Sequence, residues 1–263
     1  MAPRPFWTGY LKLSLVTCAV SMTPATTQAE RIRFHMMNRK TGHRVVVQYV
    51  DAATGKPVDD DALVRAYPRG GDRYVLLEDD ELDAVALDST HTIEIERFVD
   101  ADEIGWIWYD TPHYLMPDDA VGAEAFAVIR DAMRHTGTVG IARLVLYRRE
   151  HAVLLEPRGK GIVVWTLRYG EEVRPPAECL PAEKASRPEP EALTQLGKVI
   201  GERLRSWNPE MIQDPVQARL QGIIAAKKRG RPRKPARAEP VAEDRVVNIM
   251  DALRASLKSA PKG

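Results

Sequence analysis

The sequence predicts an α+β protein, a β-barrel core followed by helices, and three observations predict it. Short segments with apolar residues at every second position recur as far as Tyr169, the period of a half-buried strand. One longer segment among them, Pro117 to Arg134, repeats its apolar residues at helical spacing instead. Beyond a connector containing Pro175, Pro176, Pro181, Pro188 and Pro190, helical spacing takes over.

Phe6 to Ser21 mixes aromatic, β-branched and leucine residues without a helical stripe and reads as strand, as does the alternating Arg31 to His35. Val45 to Val50 is a further strand signal, closed by the turn chemistry of Ala53-Thr54-Gly55-Lys56-Pro57, and His91 to Glu96 is another. Between them the acidic stretches Asp59 to Tyr67 and Glu78 to Leu87 read as short helices. In Pro117 to Arg134, Asp118 or Asp119 supplies a cap, Phe126, Ile129 and Met133 share a face, and Gly137 ends the helix. Val139 to Arg149, Ala152 to Pro157 and Ile162 to Tyr169 follow with short polar links, including Arg158-Gly159-Lys160-Gly161, the pattern of an antiparallel meander. Closing such strands into a barrel removes exposed edges.

After the proline-rich connector, Leu193, Leu196, Ile200 and Leu204 recur on one helical face until Trp207-Asn208-Pro209. Asp214 as cap and Pro215 at the first helical position start a second helix with Val216, Leu220 and Ile223 in its stripe, running into Lys227-Lys228. Arg229 to Pro240 is rich in Arg, Lys, Pro and Ala and lacks a large apolar anchor, a composition that favours disorder. A last amphipathic segment, Asp244 to Lys258, puts Val246, Met250, Leu253 and Leu257 on one side. The expected division is a core over 1–180, a helical segment over 181–226 and a basic tail over 227–263.

Composition narrows the function classes. The 263 residues are 44% apolar and 29% charged, with no run approaching the ~18 apolar residues of a membrane span. Cys18 and Cys179 are far apart and outside any CxxC, which argues against a zinc module or a disulfide scaffold and suits a reducing cytoplasm. Arg4 and Lys12 before Leu13 to Val20, with Thr27-Gln28-Ala29 beyond, mimic a secretion signal. Ser14, Thr17 and Cys18 interrupt its apolar stretch, and Phe6, Trp7 and Tyr10 occupy its head. Six histidines are dispersed, and no HExxH, GxSxG or GxxxxGK[ST] occurs; Cys18 with His35 reads as structural rather than as nucleophile and base. No enzyme activity, metal or cofactor is expected. The net charge of +1 hides a segregation: from Lys227 onward eleven Lys and Arg face four acidic residues, so a tail of +7 follows a body of −6.

Many short elements, in order, resemble the bacterial Ku family. They are Trp7-Thr8-Gly9 with Leu15-Val16, Ile32-Arg33-Phe34-His35, Gly55-Lys56, and Arg73 to Leu77 before acidic Glu78 to Glu81. They continue with Thr92 to Ile95, Tyr109 to Leu115 with Pro117-Asp118, Gly140 to Arg143, Arg149-Glu150-His151, Pro157-Arg158-Gly159 and Thr166 to Tyr169. The resemblance spans roughly residues 3 to 225, and Val246 to Leu257 is similar to the extreme C-terminus of many bacterial members. One departure is Asp51 to Thr54, where some relatives carry a CxxC; a metal-bound version of that turn is not expected here.

The resemblance implies a homodimer whose barrels form a cradle and whose arms, about residues 40–99 of each chain, close a ring around double-stranded DNA ends. It also implies recruitment of a multifunctional ATP-dependent ligase, and a cytoplasmic, nucleoid-associated place in non-homologous end joining. A ring accepting any end contacts phosphate and sugar, which position without carrying sequence information. Arg31, Arg33, Lys40, Arg44, Lys56, Arg65 and Arg69 are the candidate channel residues, with Asp59 to Asp61 and Glu78 to Glu81 facing outward. The tail run Lys227-Lys228-Arg229-Gly230-Arg231-Pro232-Arg233-Lys234 resembles an AT-hook, its arginines suited to a narrow A·T-rich minor groove. Ligase recruitment is expected on the post-barrel helices through Leu193, Leu196, Ile200, Leu220 and Ile223. The main rival is a minor-groove nucleoid protein led by its tail; a secreted β-rich enzyme is the second.

Overall fold

The computed structural model describes residues 4–85, 87, 90–180 and 190–230. Its core is a closed barrel with strand order β1-β2-β6-β9-β8-β7-β5. The strands are β1 (Trp7–Leu13), β2 (Val16–Pro24), β5 (Thr92–Asp100), β6 (Tyr109–Pro117), β7 (Thr138–Leu146), β8 (Arg149–Arg158) and β9 (Gly161–Leu167). Side chains alternate across each strand. Leu11 on β1, Cys18, Val20 and Met22 on β2, Ile93 and Ile95 on β5, Leu115 on β6, Val153 and Leu155 on β8, and Ile162 and Val164 on β9 all enter one core. Neighbours in the barrel pair antiparallel, except that β1 and β5 run parallel, with Tyr10 opposite Thr92, Leu11 opposite Ile93 and Lys12 opposite Glu94.

Phe6 to Ser21 is thus two strands joined at Ser14-Leu15 rather than one, and the stretch that mimics a secretion signal forms part of the barrel wall. The meander β7–β8–β9 follows the expected pattern, with two-residue turns at Tyr147-Arg148 and Gly159-Lys160. Both Tyr147 (φ 52°) and Arg148 (φ 65°) adopt the left-handed backbone, which costs a non-glycine residue about 1–2 kcal/mol.

The long helix expected after Pro117 is α2 (Ala120–Thr136), preceded in the chain by the short α1 (Asp79–Val85). Asp119 caps α2, its carboxylate accepting from the Gly122 N–H at 2.5 Å, and Gly137 ends it in the left-handed conformation (φ 69°). The buried face, Phe126, Ile129 and Met133, belongs to the barrel core. Arg130 donates to the Lys160 carbonyl at 2.7 Å and Arg134 to the Gly159 carbonyl, so the outer side of α2 is tied to the β8–β9 turn.

Residues 35–90 leave the barrel after β2 and return at β5. Their regular structure is small: β3 (Arg65–Pro68) paired with β4 (Tyr74–Leu77), then α1, with isolated bridges Met37–Arg44 and Val50–Pro57. The expected strand at Val45 to Val50 is not formed: among the described residues the run is bonded only at its two ends, Val45 N donating to the Met36 carbonyl at 3.0 Å and Val50 bridging to Pro57, with no continuous ladder between. Arg31 to His35 is not a strand either. The expected helix Asp59 to Tyr67 is one 3-10 turn, Asp60–Ala62, leading into β3. The end of the expected arm of 40–99 coincides with β5, which is a barrel strand.

A second compact unit comprises Arg31–Phe34 together with the described residues from Ala177 onward. It contains α4 (Pro190–Arg203) and α5 (Pro215–Lys228), which follow the short α3 (Pro176–Cys179). The Asp214 carboxylate caps α5, accepting from Val216 N at 2.9 Å and Gln217 N at 3.1 Å. The Ile32 N–H donates to Gln217 Oε1 at 3.2 Å, so the four-residue segment is held on α5.

Two outcomes test this packing. Phe126→Ala removes the largest side chain that α2 places in the barrel, and a loss of about 3–5 kcal/mol in chemical denaturation is expected. His113 on β6 is 7% exposed and stacks on Phe6 with ring centroids 5.2 Å apart, and burial lowers its pKa. The folded form disfavours the proton. The contribution is therefore intact above the unfolded imidazole value of about 6.5 and is lost as pH falls through the lower folded value. Replacing His113 with Gln should flatten the decline of the thermal midpoint between roughly pH 7 and 5.

Candidate nucleic-acid interface

The basic residues singled out in the sequence divide between the compact units. Lys40, Arg44, Lys56, Arg65 and Arg69 lie on the 35–90 segment, while Arg31 and Arg33 belong to the unit with the C-terminal helices. All are exposed. Lys40 stands in the loop spanned by the Met37–Arg44 bridge, where the Asn38 side-chain oxygen accepts from its N–H at 2.9 Å. Arg44 is opposite Met37 at the foot of that loop. Arg69 enters the β3–β4 turn, its N–H donating to the Arg73 carbonyl at 2.9 Å. Short loops thus carry these cations on turns rather than on a sheet face. Arg65 Nη1 lies 3.1 Å from Asp79 Oδ1, both largely exposed, a pairing worth about 0–1 kcal/mol. Among the described residues none of the other six forms an ion pair.

Lys56 follows a turn built on Asp51. One carboxylate oxygen of Asp51 accepts from Ala53 N at 3.0 Å, Thr54 N at 2.7 Å and the Thr54 hydroxyl at 2.9 Å. Those bonds, the Thr54 amide first, hold the Asp51 pKa below the usual carboxylate range. The main chain closes the loop, with Gly55 N donating to Asp51 O and Asp51 N to Lys56 O, both at 2.8 Å. This turn is held by hydrogen bonds. Among the described residues no three His, Cys, Asp or Glu side chains converge on a point a metal ion would occupy.

Of the tail motif, Lys227 and Lys228 form the last turn of α5, where cations are favoured by the helix dipole. The Arg229 N–H reaches the Ala225 and Ala226 carbonyls at 3.2 Å, and Gly230 turns the chain at φ 68°. The first half of the basic run therefore ends a helix. Arg231, Pro232, Arg233 and Lys234 lie outside the described residues, as does the amphipathic segment Asp244 to Lys258.

The apolar set on the C-terminal helices also divides. Leu193, Leu196 and Ile200 are exposed on α4, which half-buries Ala192, Gln195 and Val199 instead. Leu220 and Ile223 on α5 are half-buried, with Leu220 one turn beyond Gln217.

Sequence reading assigned no role to Arg149, His151, Arg168 and Tyr169, although two of the family-like motifs contain them. They line a polar cavity of about 270 Å³ with Asp110 and Glu172. Arg149 lies over the Tyr169 ring at 5.0 Å. Arg168 pairs with Asp110 at 3.3 Å and donates to the carbonyls of Ile107 and Tyr109, and the Tyr169 hydroxyl donates to the Glu150 carbonyl. Both signs of charge meet inside the cavity, and Arg168 is committed to holding the loop before β6. The signal available in sequence was the position of these residues at strand ends. A second cavity of about 430 Å³, apolar and flanked by Arg158 and Lys160, lies on β6 and β9.

The family model of the Ku70/Ku80 beta-barrel domain matches residues 12–195, a span holding six of the seven barrel strands, the 35–90 segment and the start of α4. Proteins named "Non-homologous end joining protein Ku" are similar along nearly their whole length. That of Gluconacetobacter diazotrophicus is 61% identical, with 98% of each chain covered. That of Methylocella silvestris is 58% identical, covering 100% of this chain and 98% of the relative. That of Allorhizobium ampelinum is 50% identical, covering 98% and 96%. A closed barrel with six of its seven strands in the matched span and similarity of this extent lead to one conclusion: the chain belongs to the Ku family of bacterial non-homologous end joining proteins.

Proposed function

We propose that this chain works as a homodimer that encloses duplex DNA at broken ends, without sequence preference, and presents them to an ATP-dependent ligase, doing no covalent chemistry itself. One observation carries the reading. The 35–90 segment exposes large apolar residues that no described residue covers, including Val46 (86% exposed), Val47 (97%), Tyr49 (63%) and Tyr67 (66%), and the same segment carries Lys40, Arg44, Lys56 and Arg69. An apolar surface of this kind is stable in water when a partner covers it. A second copy of the same arm is self-complementary under twofold symmetry, and the arm's cations then face the enclosed duplex.

The anionic rails of DNA supply the affinity, so recognition is by charge and shape and is tolerant of sequence. Body and tail divide the work: the barrel and arm hold the duplex, and the basic run from Lys227 grips it further along. The ligase is received on α4 through Leu193, Leu196 and Ile200, which are exposed at helical spacing; Leu220 and Ile223 support that unit from within. The site of action is the cytoplasmic nucleoid. Among the described residues no helix is long and apolar enough to cross a membrane.

Topology of the DNA tests the enclosure. The protein is expected to load on linear duplex, to stay trapped when both ends are blocked after loading, and to bind covalently closed circles poorly. Equal binding to closed circles refutes the ring and favours a tail-led nucleoid protein. A truncation ending after Ala226 is expected to weaken binding and to flatten the plot of log K against log salt by about 0.9 for each phosphate that the tail had neutralised. An unchanged slope in that titration removes the tail from the interface.

A further inference from the structure

The β7–β8 turn is the one place among the described residues where two consecutive non-glycine residues, Tyr147 and Arg148, both stand in the left-handed region. A two-residue connection between antiparallel strands demands that geometry, and Asn-Gly or Asp-Gly meets it with little crowding. Less suited residues persist in such a conformation where the surroundings hold them. Here the surroundings are the returning limb of the 35–90 segment. The Arg148 carbonyl accepts from the Leu87 N–H at 3.1 Å, and Arg148 Nη1 lies 2.9 Å from Asp83 Oδ1. Glycine at 148 would keep the first of these bonds; the second needs arginine.

Among the described residues, little else is seen to hold the limb. α1 buries no residue, and its described ion pairs are Arg65–Asp79, within the segment, and Arg148–Asp83, to the barrel. Both side chains of the latter are about three-fifths exposed (60% and 61%), so the pair is weak and screened by salt. Its strength is that of a reversible attachment rather than a weld.

We infer that the β7–β8 turn is a latch for the arm, with Arg148 a positioning residue that fixes the direction in which the returning limb meets the barrel. The latch itself stands apart from DNA; its consequence for enclosure rests on the proposed reading of the 35–90 segment as the DNA-enclosing arm. Arg148 stands against backbone preference where it serves α1 as well as its own hairpin.

Hydrogen exchange of the full-length protein without DNA tests the latch. Arg148→Gly, relieved of its positive-φ crowding, should leave the thermal midpoint at or above wild type while the Leu87 amide and α1 exchange about two- to fivefold faster. Asp83→Arg should also speed exchange, and combining it with Arg148→Asp should restore protection by reversing the pair. Unchanged exchange in Arg148→Gly, or failure of the reversed pair to restore it, overturns the latch. Retention on end-blocked linear DNA is then measured for the same proteins. Retention that falls and recovers with protection supports the positioning role, and retention indifferent to protection overturns it. If the wild type itself is not retained, the enclosure reading fails while the exchange result still decides the latch.

Discussion

The parallel seam between β1 and β5 is the constraint on which the rest of the structure depends. It joins strands some eighty positions apart in sequence, through Tyr10–Thr92, Leu11–Ile93 and Lys12–Glu94, and it is what turns a sheet into a barrel. The seam is reinforced on both sides. Lys12 Nζ lies 2.9 Å from Glu94 Oε1, and Tyr10 N donates to the His91 carbonyl at 2.8 Å. Gly9 is needed beside it, since a Cβ there would collide with the His91 carbonyl and come within 2.5 Å of the Trp7 ring. Leu11 and Ile93 stand opposite one another with no exposure at all. The seam also fixes the place where the chain returns from the 35–90 segment to the barrel.

That arrangement separates two kinds of surface in one chain. The barrel satisfies its apolar residues internally, with α2 supplying Phe126, Ile129 and Met133 to the core. The inserted segment does not: its short β3–β4 pair and single helical turns are too small to bury Val46, Val47 or Tyr49. A domain that can close its own core and an appendage that cannot are the two parts the proposed symmetric assembly requires. In that assembly the first supplies a rigid cradle, and the second finds its partner in another copy.

The sequence carried the barrel legibly because period-two alternation and short turns are local signals. The capping of α2 by Asp119 and its end at Gly137 were equally local. What it did not carry were features set by distant partners. Val45 to Val50 has strand composition but lacks a neighbour to complete the hydrogen bonds, and Phe6 to Ser21 hides the Ser14-Leu15 turn because the pair is not a habitual turn former. Arg31 to His35 alternates like a strand, yet its Ile32 amide bonds to a glutamine on α5, an interaction no window of neighbouring residues reveals. The seven cations could be named from the sequence, but their division between two units and the pairing of Arg65 with Asp79 could not be read there. Family resemblance supplied the order of motifs; the polar cavity of Arg149, Arg168 and Tyr169 had to be found in three dimensions.

The turn at Asp51 has a consequence for durability. Cysteine-built tips depend on the supply of a bound ion and on the thiols staying reduced, so chelators and peroxides are their natural enemies. A carboxylate that collects two amides and a hydroxyl answers to neither hazard. Its weakness is acid alone, and the same bonds that shape the loop postpone its protonation. A loop held in this way keeps its shape under oxidation and in the presence of chelators.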